Sequence, residues 1–589
     1  MKKMMETEKK MKCGIDADAF LCYTKERYSM RTTDVRMMKK EFEKSIRKTI
    51  KNRPGRFLFL FVLFLFAFTD GQSVATYAKT QSVSTVEEIR VGLKSNYANK
   101  KSITIQNTAL EFGFCNGREY CTERVLLSET GVRVTAEQGD YFASVDTYEL
   151  HQAEEMAEKL STAGAKAYAV SFSSGKAGIY FPVEENGGTT EAAREICDKA
   201  GSICGIRIEE KEKKSLYLIR IDAGEQVLFA DGTQGVYPQF AATEKNDEGV
   251  FAINMGKRSY RGRIEIGRYG GRSTVTAVNV VGLEEYLYGV VPCEMPASWN
   301  MEALKAQAVC ARSYALTKAG YRAGTDITRG FRMEDTIQSQ VYGGLDFEHS
   351  RSTAAVDATK GKTLCYDNRM VAGYYFSSSG GHTENIEDVW GVSVPYLQGV
   401  PDLYESEPSK KPWTVTLKKT ELERLLQAEG KDVGTVRKVV QEITTSSGRV
   451  TSLRIIGSNK TVSLATSDLR NVLELPSTKF KVVNGETTPD TVMIQGDGAL
   501  KEAPISECYV ISDTGEVEKV VADKQYVVIS EDNLTGFGTD LPDEDEVLFV
   551  GMGHGHGVGL SQSGANGMGN HGFSHEEILE HYFTGITVR

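Results

Sequence analysis

Residues 285–316 read EYLYGVVPCEMPASWNMEALKAQAVCARSYAL. An apolar run reaches Pro292, one acid follows at Glu294, and a second segment opens at Asn300. Asn300 suits a helix N-cap and Glu302 its first turn. Alanine-rich sequence carries the helix to Lys318, with Gly320 as its stop. Met301, Leu304, Ala308, Ala311 and Ala315 fall on one apolar face at helical spacing. Upstream, STVTAVNVVGLEEYLYGVV (273–291) reads as sheet. Glu294 is then expected in the turn entering a buried helix, bracketed by Cys293, Met295, Pro296 and Trp299. Apolar surroundings raise a carboxyl pKa and make a general acid. The bland alternative is a buried Glu294 paired with Arg312 or Lys305.

The chain has 589 residues and a net charge of −10. Its first 56 residues carry 17 Lys and Arg against 8 Asp and Glu, so the remainder is strongly acidic. That balance argues against nucleic acid as a partner. RPGR (53–56) precedes FLFLFVLFLFAF (57–68), and small residues follow at Ser73-Val74-Ala75 and Thr76-Tyr77-Ala78. A basic region, a 12-residue apolar run and a small-residue cleavage pattern make a secretory signal. The expectation is export, with the product secreted to the cell wall or anchored by 57–68. The membrane is met only through this segment. Met37 or Met38 is the expected start, with 1–36 an extension upstream of it.

Downstream, 79–140 read as short strands. Residues 141–210 read strand–helix–strand twice, and EEMAEKLSTAGAKAYAV (154–170) weakly repeats as REICDKAGSICGIRI (194–208). Strands return from 211, and 486–545 are acidic and turn-rich. The ten cysteines include two close pairs, Cys115/Cys121 and Cys197/Cys204, which an exported protein could bridge. Cys310 on the helix is expected as a buried thiol.

Two further stretches carry candidate chemistry. YYFSSSGGHTENIEDVWGVSVPYLQGVPD (374–402) combines hydroxyls, carboxylates and Trp390, the materials of a sugar groove. FVGMGHGHGVGLSQSGANGMGNHGF (549–573) alternates His554 and His556 with glycine, which suits a substrate-contacting ribbon or a tight turn with one core-bonded imidazole.

With DTIQSQVYGG (335–344), these stretches in this order resemble the SpoIID/LytB family over about 260–410 and 549–589. The resemblance implies an α+β fold: a mixed catalytic core over 211–589 with mostly antiparallel strands. It implies a lytic transglycosylase that cuts MurNAc–GlcNAc bonds of peptide-stripped glycan strands, in a sporulation setting with an amidase as partner. The family's catalytic glutamate falls on Glu294. Its SSGGxTE motif falls on Ser378 to Glu384 and its HGVGxSQxGA motif on His556 to Ala565. Ser378, Ser379, Gly380, Gly381, Thr383, Glu384, His554, His556 and Gln562 are the expected substrate-binding residues. Gln338 stands where some relatives have His, and no Cys/His cluster occurs between 321 and 345. No cofactor is therefore expected, and the zinc of some relatives is in doubt. Two rivals stand: a non-catalytic amidase enhancer, and a hydrolase that would need Glu384 or Asp388 as second carboxylate. Residues 141–210 resemble a SPOR domain, a βαββαβ module that binds stripped glycan.

Overall fold

Two large sheets organise the chain. The computed structural model describes residues 88–589 apart from short internal stretches, the longest being 320–329 and parts of 485–542. The signal segment and the expected start site lie outside the described residues. No described helix is long and apolar enough to cross a membrane.

The first sheet runs, in spatial order, Met333–Glu334, Glu88–Gly92, Thr276–Gly282, Arg263–Gly267, Pro238–Ala242, Ala109–Asn116 and Glu119–Leu127. All neighbours are antiparallel except the first pair. Strands from 88–127 therefore interleave with strands from 238–282. Thr276–Val281 is buried throughout, so its sequence is almost continuously apolar. Its one polar interruption, Asn279, is satisfied by the Arg261 and Arg263 carbonyls and the Tyr342 hydroxyl.

The second sheet has eight strands, and the segment 141–211 supplies four of them. Its order is strand Tyr141–Ser144, α1 (Leu150–Thr162), strands Tyr168–Phe172 and Ala177–Pro182, α2 (Thr190–Cys204), strand Ile208–Lys211. Numbered within the segment, the strands lie 2-3-1-4, all antiparallel. Ala153, Ala157 and Leu160 of α1 and Ala193 and Cys197 of α2 bury themselves with Phe142, Ile179 and Phe181. Tyr168–Phe172 also pairs, in parallel, with Gln226–Asp231, so the segment continues a sheet built by the rest of the chain.

Neither cysteine pair is bridged. Cys115 lies opposite Tyr120 and Cys121 opposite Phe114, so the two thiols point to different faces of their hairpin. Cys197 and Cys204 lie within one helix, two turns apart. Two turns rise about 10 Å, beyond disulfide reach.

The reading of 273–291 as sheet holds only to Gly282. Leu283–Glu294 is a helix, α3. Tyr286, Leu287, Val290 and Val291, with Gly289, are its buried residues, the four side chains at a 3–4 spacing that a strand would split between two faces. Glu294 is the last residue of this helix and does not lie in a turn entering the next one. Gly289 lets the segment 341–344 lie against α3: a Cβ there would stand 2.7 Å from the Tyr342 ring and 2.8 Å from the Gly344 carbonyl.

α4 (Met301–Ala319) begins where expected, with Asn300 Oδ1 accepting from the Glu302 amide at 2.9 Å. It is not one-faced. Ala303, Leu304, Ala306, Ala308, Val309, Cys310, Ala311, Ser313 and Ala315 are all buried. Small side chains let α3, α5 (Ser350–Ala358) and two C-terminal helices close on it from several sides. Arg312 is fully buried in this packing. It donates to Glu284 through Nε at 2.9 Å and Nη2 at 2.6 Å, and to the Lys362 and Val356 carbonyls.

A second, smaller core lies in 413–484 and 546–551. Trp413–Lys418, Glu546–Gly551 and Phe480–Asn484 form one three-stranded sheet, and Val436–Thr444, Val450–Gly457 and Thr461–Ala465 another. Leu422, Leu426, Leu453, Ile455, Leu469 and Phe549 fill it. Among the described residues of 486–545, Thr491–Gly496 pairs with Ala499–Pro504, Tyr509–Ile511 with Val517–Lys519 and Tyr526–Ile529 with Leu534–Phe537, all antiparallel.

The Arg312 pair yields a stability test. Arg312→Ala strands the Glu284 carboxylate and two carbonyls, and is expected to cost about 3–5 kcal/mol. Glu284→Gln keeps an acceptor for Arg312 and should cost less. Urea denaturation of both variants beside wild type measures the difference.

Candidate active site

Glu294 is half-buried where α3 ends. Its Oε1 accepts the Val341 amide at 2.8 Å and the Tyr375 hydroxyl at 3.1 Å. A further hydrogen bond joins it to Gln562, whose Nε2 also donates to Gln307 at 3.3 Å. Desolvation raises its pKa above the ordinary carboxylate value, against the pull of these three donors. The negative end of the α3 dipole acts in the same direction as desolvation. No second carboxylate is among the groups that set its pKa. The proposed pairing with Arg312 or Lys305 is absent: Arg312 is held by Glu284, and Lys305 by Glu302. Glu294 is thus a desolvated acid with no cation beside it among the described residues.

Aromatic groups continue from Glu294. Burial, and then the Glu294 charge, push the Tyr314 pKa up to about 12. The Tyr314 ring meets Tyr374 at 5.8 Å, Tyr374 meets Trp390 at 5.1 Å, and Trp390 meets His556 at 5.2 Å. Trp390 is 43% exposed, so this row opens to solvent.

The glycine–histidine ribbon gives its two imidazoles different surroundings. Gly553, Gly555, Gly557 and Gly559 all have positive φ, between +73° and +110°. At Gly559 a Cβ would stand 2.3 Å from the Tyr374 carbonyl, so every second residue must be glycine for the ribbon to lie this close. His556 takes the Val558 amide on Nδ1 at 3.1 Å and bonds the Tyr375 backbone. Desolvation, with Arg470 and Arg449 nearby, pushes its pKa down to about 3, which leaves it neutral. This is the core-bonded imidazole. His554 stands at the surface, its pKa lowered by partial burial and Arg470.

The residues expected on Ser378–Glu384 lie mostly inside the protein. Ser378, Ser379, Gly380, Thr383 and Glu384 are buried, and Gly381 is exposed. Ser378 exchanges two backbone hydrogen bonds with His554. The amides of Ser379, Gly380 and Gly381 point at the Glu405 carboxylate, at 2.5, 2.9 and 3.2 Å, and Ser561 Oγ joins them at 3.0 Å. Thr383 Oγ1 is bound to the backbone of Val400. Glu384 takes Thr445, Ser447 and the Asn385 amide. Arg449 donates to the Ser379 carbonyl at 2.9 Å. These groups frame the site. Gln562, also buried, does reach Glu294.

The two candidate second carboxylates differ in setting. Glu384 is saturated and buried, and Asp388 holds Asn385 Nδ2 at 2.8 Å. Among the described residues no three His, Cys, Asp or Glu side chains converge as a metal would require. Sequence reasoning missed Tyr375, the Val341 amide, Glu405 and Asp402. The first two lie within motifs already quoted.

Asp402 lies beside Glu405, its Oδ1 accepting the Tyr582 hydroxyl at 2.9 Å. Desolvation and the Glu405 charge push its pKa up to about 6, against hydrogen bonds from Ser561, Tyr582 and Ser379. Unfolded, it titrates near about 4. Between these values the native state holds a proton that the unfolded chain has lost. Asp402 therefore contributes most at low pH, and the contribution is lost as pH rises through about 6. Relative to Asp402→Asn, wild type should lose on the order of 2–3 kcal/mol between pH 4 and 7. Urea midpoints across that range measure it.

A family model described as Stage II sporulation protein matches residues 271–366, and one described as a domain of unknown function (DUF8618) matches 396–499. The chain is 32% identical to stage II sporulation protein D of Bacillus subtilis over 239 residues, covering 38% of this chain and 67% of that protein. An uncharacterized protein of Brachyspira hyodysenteriae is 31% identical over 271 residues, covering 45% and 68%. The amidase enhancer of Bacillus subtilis is 44% identical over 137 residues, covering 23% of this chain but only 17% of that protein. The first model spans strand Thr276–Gly282, α3 with Glu294, α4 and the Val341 segment that hydrogen-bonds it, and two thirds of a stage II sporulation protein D is covered at that identity: the chain belongs to the SpoIID/LytB family.

Proposed function

We propose that the protein is a peptidoglycan lytic transglycosylase acting on peptide-stripped glycan strands outside the cytoplasmic membrane. The observation that carries this is Glu294: one desolvated carboxyl, held by three neutral donors, with no cation and no second carboxylate acting on it among the described residues. Protonated Glu294 gives its proton to the oxygen between MurNAc and GlcNAc as the bond from that oxygen to the muramyl C1 breaks. The muramyl C6 hydroxyl bonds to C1 and passes its proton to the Glu294 carboxylate. A 1,6-anhydro sugar forms, no water is consumed, and the acid is regenerated. Val341, Tyr375 and Gln562 stabilise the carboxylate between the two transfers. No step is routed through a metal.

The similarity to an amidase enhancer supports a second reading, in which the same groove only binds glycan. Mass spectrometry of products from amidase-stripped peptidoglycan separates the readings. Anhydro-muramyl fragments are expected from wild type, with Glu294→Gln slower by about 100- to 10,000-fold. No products from either protein, with binding intact, would leave the enhancer. Reducing-end muramyl products would mean a hydrolase.

Tyr375→Phe gives a pH test. Its hydroxyl bonds the charged form of Glu294 and lowers the pKa. Removing it raises that pKa, so the decline of rate at high pH should move to higher pH. The rate–pH profile of the variant measures the shift.

A further inference from the structure

Arg470 stands out among the charged groups near the site. It lies on α7 of the fold's second core, the helix Thr466–Leu473 (α6 being Ile386–Trp390, which packs against it). Thr466 Oγ1 ties the two helices through the Asp388 carbonyl at 3.4 Å. Arg470 is only partly exposed, and its Nε is buried without a hydrogen-bond partner. Among the described residues no carboxylate pairs with it. Its neighbour Arg449 feels the charges of Glu384 and Glu405, whereas burial alone acts on Arg470. An unpaired, half-desolvated guanidinium is costly unless a ligand supplies the anion.

Its position says which anion. The Arg470 charge reaches His554 and His556, and the His556 ring touches Trp390. Trp390 ends the row that begins at Tyr314 beside Glu294. A sugar strand cleaved at Glu294 and stacked along that row would bring its substituents to Arg470. The row and the arginine together suit a carbohydrate bearing a carboxylate.

We propose that Arg470, beside the Trp390 platform, forms a subsite for the free lactyl carboxylate of a muramyl residue. This rests on the glycan reading above and deepens it. A lactyl group carrying a peptide is an amide and has no charge to offer. Arg470 would thus discriminate stripped strands from peptide-bearing ones.

The test uses full-length Glu294→Gln protein, which binds without turnover, and three ligands: stripped strands, stripped strands with carboxylates chemically amidated, and peptide-bearing strands. Stripped strands are expected to bind about tenfold or more tighter than amidated ones. Arg470→Gln should erase that difference while leaving binding to amidated strands unchanged. Arg470→Lys should restore part of it, and Trp390→Ala should weaken binding to stripped and amidated strands alike. A preference for stripped strands that survives Arg470→Gln would overturn the proposal. So would Arg470-dependent binding confined to peptide-bearing strands, whose stem carboxylates are the other source of charge. The product assay on wild type is read separately: loss of cleavage with Arg470-dependent discrimination intact would refute the transglycosylase and keep the subsite.

Discussion

Burying the Glu294 carboxyl at the C-terminal end of a helix disfavours its charged form twice, through lost hydration and through the negative end of the peptide dipoles. Proteins ordinarily relieve such a group with a cation. Here the nearby cations are spent elsewhere. Arg312 is locked to Glu284 inside the helical core, and Lys305 lies with Glu302. Glu302 in turn, against its own desolvation, is drawn down to about 2 by Lys305 and His575. The same helix, α4, thus carries two satisfied ion pairs while its neighbour α3 ends in an acid left without one. Among the described residues the charged form of Glu294 has only hydrogen-bond donors for support. Such an acid holds its proton to higher pH than an ordinary carboxyl and is still supported by donors once it has given it up.

The frame around this acid depends on a second buried carboxylate. Glu405 collects three consecutive amides from Ser379, Gly380 and Gly381, together with the Ser561 hydroxyl. The serine–glycine loop and the strand after the glycine–histidine ribbon are thereby tied to one anion. Tyr375–Phe376 pairs in parallel with Leu560–Ser561, which sets Tyr375 under Glu294 and Gln562 beside it. The Thr383 and Ser379 hydroxyls, within the stretch that suits a sugar groove, bond backbone groups of this frame.

The α4 helix, its cap and the buried Cys310 were legible in the sequence, because each is set by local spacing or composition; the α+β class came through the family resemblance. α3 was not. Its valines and tyrosines favour strands, and they follow a true strand without a polar break. Only Gly282 and the buried spacing of Tyr286, Leu287, Val290 and Val291 separate the two. The roles of Ser379, Thr383 and Glu384 were hidden for a different reason. Their partners Glu405, Val400, Thr445 and Ser447 come from other segments, and no periodicity encodes such pairings. His554 and His556 differ only in which way a ribbon of alternating glycines turns.

The segment that divides the two halves of the site belongs to both. Residues 396–499 match a model of their own and have their own apolar core. Yet Thr445 and Ser447 saturate Glu384, Arg449 holds the Ser379 carbonyl, and Thr466 bonds the Asp388 carbonyl. Removing this segment would leave Glu384 buried with only the Asn385 amide for support, and would strip the serine–glycine loop of its outer contact. It would also remove Arg470, whose charge lies beside the exposed end of the aromatic row. Glu294 and its donors lie outside this segment. Glu294 and Arg470 therefore lie on different cores, joined through the serine–glycine loop, whose amides bond Glu405 and whose Ser379 carbonyl takes Arg449.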